Sequence, residues 1–197
     1  MYYVSKNMPV SRFFTVLGMI FTGITGTLLH FLFQWSTYKP AIALFSSVNE
    51  STWEHLKLLF FPVLLYTLLE CILYKGRVPG FLWARTLSLL AGLAFIIAGF
   101  YTYSGILGKN YMAADISLFV IAILITFLLT PALQKWRKNL PPRTCLAILI
   151  LFILTVLFFL FTFYPPHIGL FMDPETQNYG ILQQVGNTLF KNIRFSV

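Results

Sequence analysis

Long apolar runs broken by short polar stretches dominate this chain, and no helical or strand-like alternation of one polar and one apolar face runs through them. Five runs reach the roughly 20 residues a helix needs to cross the hydrocarbon of a bilayer. They cover about Phe13–Trp35, Thr52–Tyr74, Phe81–Tyr103, Ala113–Leu133 and Cys145–Tyr164. The pattern predicts an all-α, polytopic membrane helix bundle over residues 1–164. A tail over 165–197 holds turn residues and charges and is predicted to pack on the bundle. The first run is too long for the apolar stretch of a signal peptide, about 7–15 residues, and no A-x-A site follows it, so it reads as a retained span.

Composition agrees with the pattern. Of 197 residues, 58% are hydrophobic and 10% charged. A water-soluble domain carries about 25% charged residues, so this chain cannot cover its surface with charge and must meet lipid instead. The net charge of +8 does not point to nucleic acid, because the basic residues flank apolar runs and form no basic stretch interleaved with aromatics. They set orientation instead. With the N-terminus inside, nine fall on the cytoplasmic side (Lys6, Arg12, Lys75, Arg77, Arg85, Lys135, Arg137, Lys138 and Arg143) and five outside (Lys39, Lys57, Lys109, Lys191 and Arg194). The excess predicts N-in and C-out, with Trp35 and Trp53 at the outer interface and Trp83 and Trp136 at the inner one. Cys71 and Cys145 then lie toward the reducing side, which argues against a disulfide.

Small residues predict packing. Gly18, Gly23 and Gly26 in span one, and Ala91, Gly92, Ala94, Ala98 and Gly99 in span three, predict that these two spans lie inside the bundle. Span five is almost purely Leu, Ile and Phe and is predicted to face lipid. Pro62 removes a backbone donor inside span two.

The ionisable residues are few and unevenly placed. On the topology above, His30, His55, His167, Glu50, Glu54, Asp115, Asp173 and Glu175 gather at the outer face, and only Glu70 falls inward. Several have structural readings. Ser47-Val-Asn-Glu50 and Ser51-Thr-Trp-Glu54 both fit a capping box, Glu54 can pair with Lys57 one turn on, Asp115 suits a helix N-terminus, and Asp173-Pro-Glu175 suits a turn. His30 is harder to place in this way, since it ends a long apolar run. A functional reading makes His30, His55, His167 and Asp173 the ligands of a divalent metal such as zinc. Glu54 is then the general base acting on metal-bound water.

The stretch Ser47-Val-Asn-Glu-Ser-Thr-Trp-Glu-His-Leu-Lys-Leu-Leu-Phe-Phe-Pro62, with Pro165-Pro-His-Ile-Gly-Leu-Phe-Met-Asp-Pro174 and Tyr179-Gly180, resembles the signatures of a family of uncharacterised bacterial multi-pass membrane proteins. That resemblance implies a bacterial cytoplasmic-membrane location and brings no activity. A more distant similarity is to seven-span membrane hydrolases whose zinc is held by three histidines and an acid, from which this chain departs in span count and spacing. Three functions stay open: a metal-dependent membrane hydrolase acting on a lipid or peptide at the outer face; a non-catalytic protein binding a ligand, lipid or partner there; and a transporter subunit. The last ranks lowest, because the middles of spans three to five lack ionisable groups.

Overall fold

The structure, a computed structural model, describes residues 10–74, 78–136 and 143–181. It is all-helical: α1 (Arg12–Trp35), α2 (Pro40–Ala43), α3 (Thr52–Tyr74), α4 (Phe81–Leu107), α5 (Met112–Trp136) and α6 (Thr144–Phe163), followed by a 3-10 turn at Gly169–Phe171. Among the described residues there is no strand, only an isolated antiparallel bridge between Met172 and Tyr179. All but α2 are long and apolar enough to cross a membrane. These five coincide with the five apolar runs, and α4 and α5 extend up to four residues past them.

The helices divide between two compact units. One takes the described chain up to Ile24 with Pro62–Phe152, and the other takes Thr25–Phe61 with the described chain from Ile153. In the first unit α4 packs along α5. A Cβ at Gly99 would meet the tip of the Leu118 side chain. Gly18 of α1 is more constrained, since a Cβ would collide with the Phe127 ring and lie 2.6 Å from Tyr66. The Tyr66 hydroxyl donates to the Phe14 carbonyl at 2.7 Å and ties α3 to α1. A buried ion pair joins α3 to α4. Arg85 Nη2 lies 2.7 Å from Glu70 Oε2, with both side chains 1% exposed. Tyr74 donates to the other Glu70 oxygen at 3.1 Å, and the guanidinium lies over the Phe127 ring at 4.3 Å. Arg85, counted from the sequence as a flanking charge, is therefore an interior one.

The second unit is built on aromatic packing. Trp53 sits among Phe158, Phe161 and Phe171, with ring centroids 4.7–5.5 Å apart. It is 9% exposed, so it is a core residue, whereas Trp35 is 64% exposed. A second cluster joins Phe33 of α1, Ala43 of α2, Val48 and Ile181.

One packing expectation needs correction. In its most apolar window α1 is only 22% buried, against 61% for α3 and 50% for α4. Gly18 and Gly26 of α1 are buried, whereas Gly23 lies about 140° around the helix from Gly18, and a Cβ on it would meet nothing within 4 Å. The most buried spans are α3 and α4. The last, α6, is the least buried of the five at 17%, as its Leu-, Ile- and Phe-rich sequence predicts. The side chain of Trp136 and the residues Lys6, Lys75, Arg77, Arg137, Lys138, Lys191 and Arg194, used above for orientation, lie outside the described residues.

Candidate metal centre

The second unit holds the candidate site. The segment between α2 and α3 is fixed by side-chain bonds almost residue by residue. Ser46 Oγ donates to the Leu29 carbonyl of α1 and accepts the Phe33 amide at 3.0 Å. Ser47 Oγ reaches the His30 carbonyl at 3.3 Å. The Val48 amide donates to Glu54 Oε2 at 3.0 Å, and the Ser51 amide to Asn49 Oδ1 at 3.0 Å. Ser51 then caps α3 by accepting the Glu54 amide at 3.4 Å. Half of the expected capping box is thus formed. Its carboxylate half is turned to Val48 instead.

The segment presents Glu50 between two imidazoles. Glu50 Oε2 lies 3.3 Å from His55 Nε2, and Glu50 Oε1 lies 3.8 Å from His30 Nε2. The two imidazole rings are 5.2 Å apart. Ligand atoms of His30, Glu50 and His55 all lie within 4.8 Å of one another, and among the described residues no other group of three or more His, Cys, Asp or Glu does so. Two ligands of one zinc ion, each about 2.0–2.2 Å from it, stand about 3.3 Å apart in a tetrahedral shell. The observed spacing is close to that.

The outer ring nitrogens have oxygen partners. His55 Nδ1 lies 3.0 Å from the Ser51 carbonyl, which only accepts, so this nitrogen carries a hydrogen. His30 Nδ1 lies 3.3 Å from Ser47 Oγ, whose own hydrogen goes to the His30 carbonyl. With that hydrogen on the carbonyl, Nδ1 is the donor, as at His55. In the neutral rings both Nε2 lone pairs then face the same carboxylate, and acceptors facing one another need a cation between them. A proton on an imidazole meets that need, and so does a metal ion. Metal-binding histidines characteristically donate their second ring nitrogen to a carbonyl or similar acceptor. Glu50 itself is held below the ordinary carboxyl value, first by its hydrogen bond with His55 and then by the charges of His55 and His30, against the opposing cost of burial.

The three side chains are 27%, 41% and 31% exposed in the order His30, Glu50, His55, so one side of the centre is open. A cleft beside it is lined by His30, Gln34, Tyr38, Ser47, Asn49 and Glu50.

The other residues singled out from the sequence lie in different surroundings. Glu54 is 2% exposed and forms an ion pair with Lys57 Nζ at 2.5 Å. His167 is exposed, and its ring packs on Tyr179 at 4.7 Å. Asp173 is 1% exposed and holds its own turn, with Oδ1 accepting the amides of Glu175 at 2.8 Å and Thr176 at 3.2 Å. Asp115 accepts the Tyr103 hydroxyl in the other unit. Sequence reasoning assigned Glu50 to a helix cap and so missed it. Its signal was position: α3 begins at Thr52, which leaves Glu50 ahead of the helix and free to turn toward His30.

A family model described as a family of unknown function (DUF6512) matches residues 2–181, so the chain belongs to that family. No curated protein and no solved structure matches the chain.

Proposed function

Since membership of that family carries no assigned activity, we propose a function from the site itself: a multi-pass membrane metalloprotein whose centre activates water for hydrolysis of a bond presented at the bilayer surface. His30 Nε2, His55 Nε2 and one Glu50 oxygen are the ligands in this reading. The observation that carries it is the convergence of His30 Nε2 and His55 Nε2 on one Glu50 carboxylate, with both Nδ1 atoms engaged on the far side of the rings. Two imidazoles, a carboxylate and an open fourth position form a donor set that suits zinc hydrolases. The metal would lower the pKa of bound water toward neutrality and polarise the bond under attack. Imidazole nitrogen favours zinc and its transition-metal neighbours over magnesium or calcium, which prefer all-oxygen shells.

Glu50 takes the place in the shell that the sequence had given to His167 and Asp173. Glu54 supports the loop, because its pairing with Lys57 occupies the carboxylate expected to act as base. The basic-residue asymmetry supports an outer-face location for the cleft, in a bacterial cytoplasmic membrane with the N-terminus inside. A lipid or peptide head at that level is the fitting substrate class, since exposed Phe31 and Trp35 flank His30 on α1.

Metal analysis of chain purified in detergent tests this reading. One zinc-class ion per chain is expected, removed by chelator and restored by Zn²⁺. Chain that neither carries nor takes up a stoichiometric ion would leave the second reading, a protonated His–Glu–His network that binds a ligand without catalysis. The short His55–Glu50 contact favours that reading over transport.

A further inference from the structure

We infer that the buried Lys57–Glu54 pair is a positioning device for the metal centre, acting through the loop that carries Glu50; the inference rests on the metal reading above. Lys57 is 0% exposed. Its ammonium group has three partners, one for each hydrogen: the Ala43 carbonyl at 2.8 Å, Thr162 Oγ1 at 3.0 Å and Glu54 Oε2 at 2.5 Å. Glu54 Oε2 in turn accepts the Val48 amide at 3.0 Å. One ammonium thus fixes the end of α2 and the first turn of α3 to α6, and through Glu54 fixes the middle of the loop between them. Ala43 and Val48 bracket the segment, and Glu50 lies two residues beyond Val48.

Stability alone does not account for this pair. Taking two charges out of water costs several kcal/mol per ion, and well-packed apolar residues often serve a fold as well or better. The pair instead supplies directional bonds to two points of the backbone, which an apolar pair cannot do. A ligand set needs its atoms held to within about 0.5 Å, and supporting hydrogen bonds do that holding. His30 and His55 sit on helices and are placed by them. Glu50 sits on a loop, so it is the ligand that needs such support.

The test uses full-length chain in detergent, with Co²⁺ as the metal, because its visible absorption reports both binding and coordination geometry. The double variant Glu54→Gln/Lys57→Met removes both charges and leaves no unpaired ion. We expect it to keep the helical content and the metal-free melting transition of the parent, to bind Co²⁺ about 10–100-fold more weakly, and to show an altered Co²⁺ spectrum. If the double variant does not fold, Thr162→Val removes one Lys57 partner with little change in shape, and a drop of about 3–10-fold is expected on the same grounds. Unchanged affinity and spectrum in the folded variant would overturn the positioning role and leave the metal site standing. Failure of the parent chain to bind Co²⁺ in stoichiometric amount would overturn both.

Discussion

At His55 a carbonyl oxygen faces one ring nitrogen and a carboxylate faces the other, so a proton or a metal ion must stand between Nε2 and Glu50. Three predictions follow at this scale. His30→Ala, Glu50→Ala and His55→Ala should each abolish stoichiometric metal binding with the helical content retained, as read by metal analysis and circular dichroism. His167→Ala should leave binding within about twofold, because its ring packs on Tyr179 and lies outside the cluster; the general cost of losing a metal-site partner is about 10–100-fold. The pH dependence of the metal-free chain has a definite sign. The Glu50 carboxyl lies below its ordinary value of 4.5, so its contribution to stability is present above that value and is lost as the pH falls through the lower value it has in the fold. Glu50→Gln should therefore flatten the acid limb of a melting-temperature-against-pH profile below pH 4.5. An unchanged acid limb would show that the carboxylate is not engaged by the imidazoles.

Among the elements, α3 carries most of the interior chemistry. It holds His55, Glu54, Lys57, Glu70 and the α3 side of the aromatic clusters. The five membrane-length helices were legible because hydrocarbon tolerates few charges over about 20 residues. The weight of α3 was not legible, because composition does not say which apolar helix is the most buried. Lys57 and Arg85 illustrate the difficulty. In sequence each looks like a charge flanking a span, yet each is buried against an acid: Lys57 against Glu54, a pairing the spacing had suggested, and Arg85 against Glu70, which it had not. The candidate cluster was half legible for the same reason. His30 and His55 were singled out from depth and type, whereas Glu50 depended on where the chain turns between α2 and α3. The α3–α4 pair gives a prediction of its own. Arg85→Met should destabilise the chain by about 3–5 kcal/mol, because it strands the Glu70 carboxylate, while Arg85→Met with Glu70→Leu should recover most of that loss. Denaturant unfolding of the two variants in the same detergent measures the difference. Equal stability in the two would mean that Glu70 finds another partner.

For the whole molecule, orientation decides which compartment the cleft opens to. The two buried cations weaken a simple count, since a residue inside the bundle does not act as a loop charge during insertion. Removing Arg85 from one side and Lys57 from the other leaves eight against four, so the predicted sense is unchanged. The segment between α5 and α6 dominates, with Lys135, Arg137, Lys138 and Arg143 within nine positions. On the predicted topology, five spans put the C-terminus opposite the N-terminus. A reporter fused after Val197 that is active only outside the cytoplasm should give signal, and a cytoplasm-only fluorescent fusion at the same point should not. Neutralising Lys135, Arg137, Lys138 and Arg143 together should shift a measurable fraction of chains to the reverse orientation, because no other loop carries a comparable cluster. The opposite reporter pattern in the parent chain would put the His30–Glu50–His55 cleft in the cytoplasm. A hydrolytic centre there would meet substrates of the inner leaflet rather than the outer one.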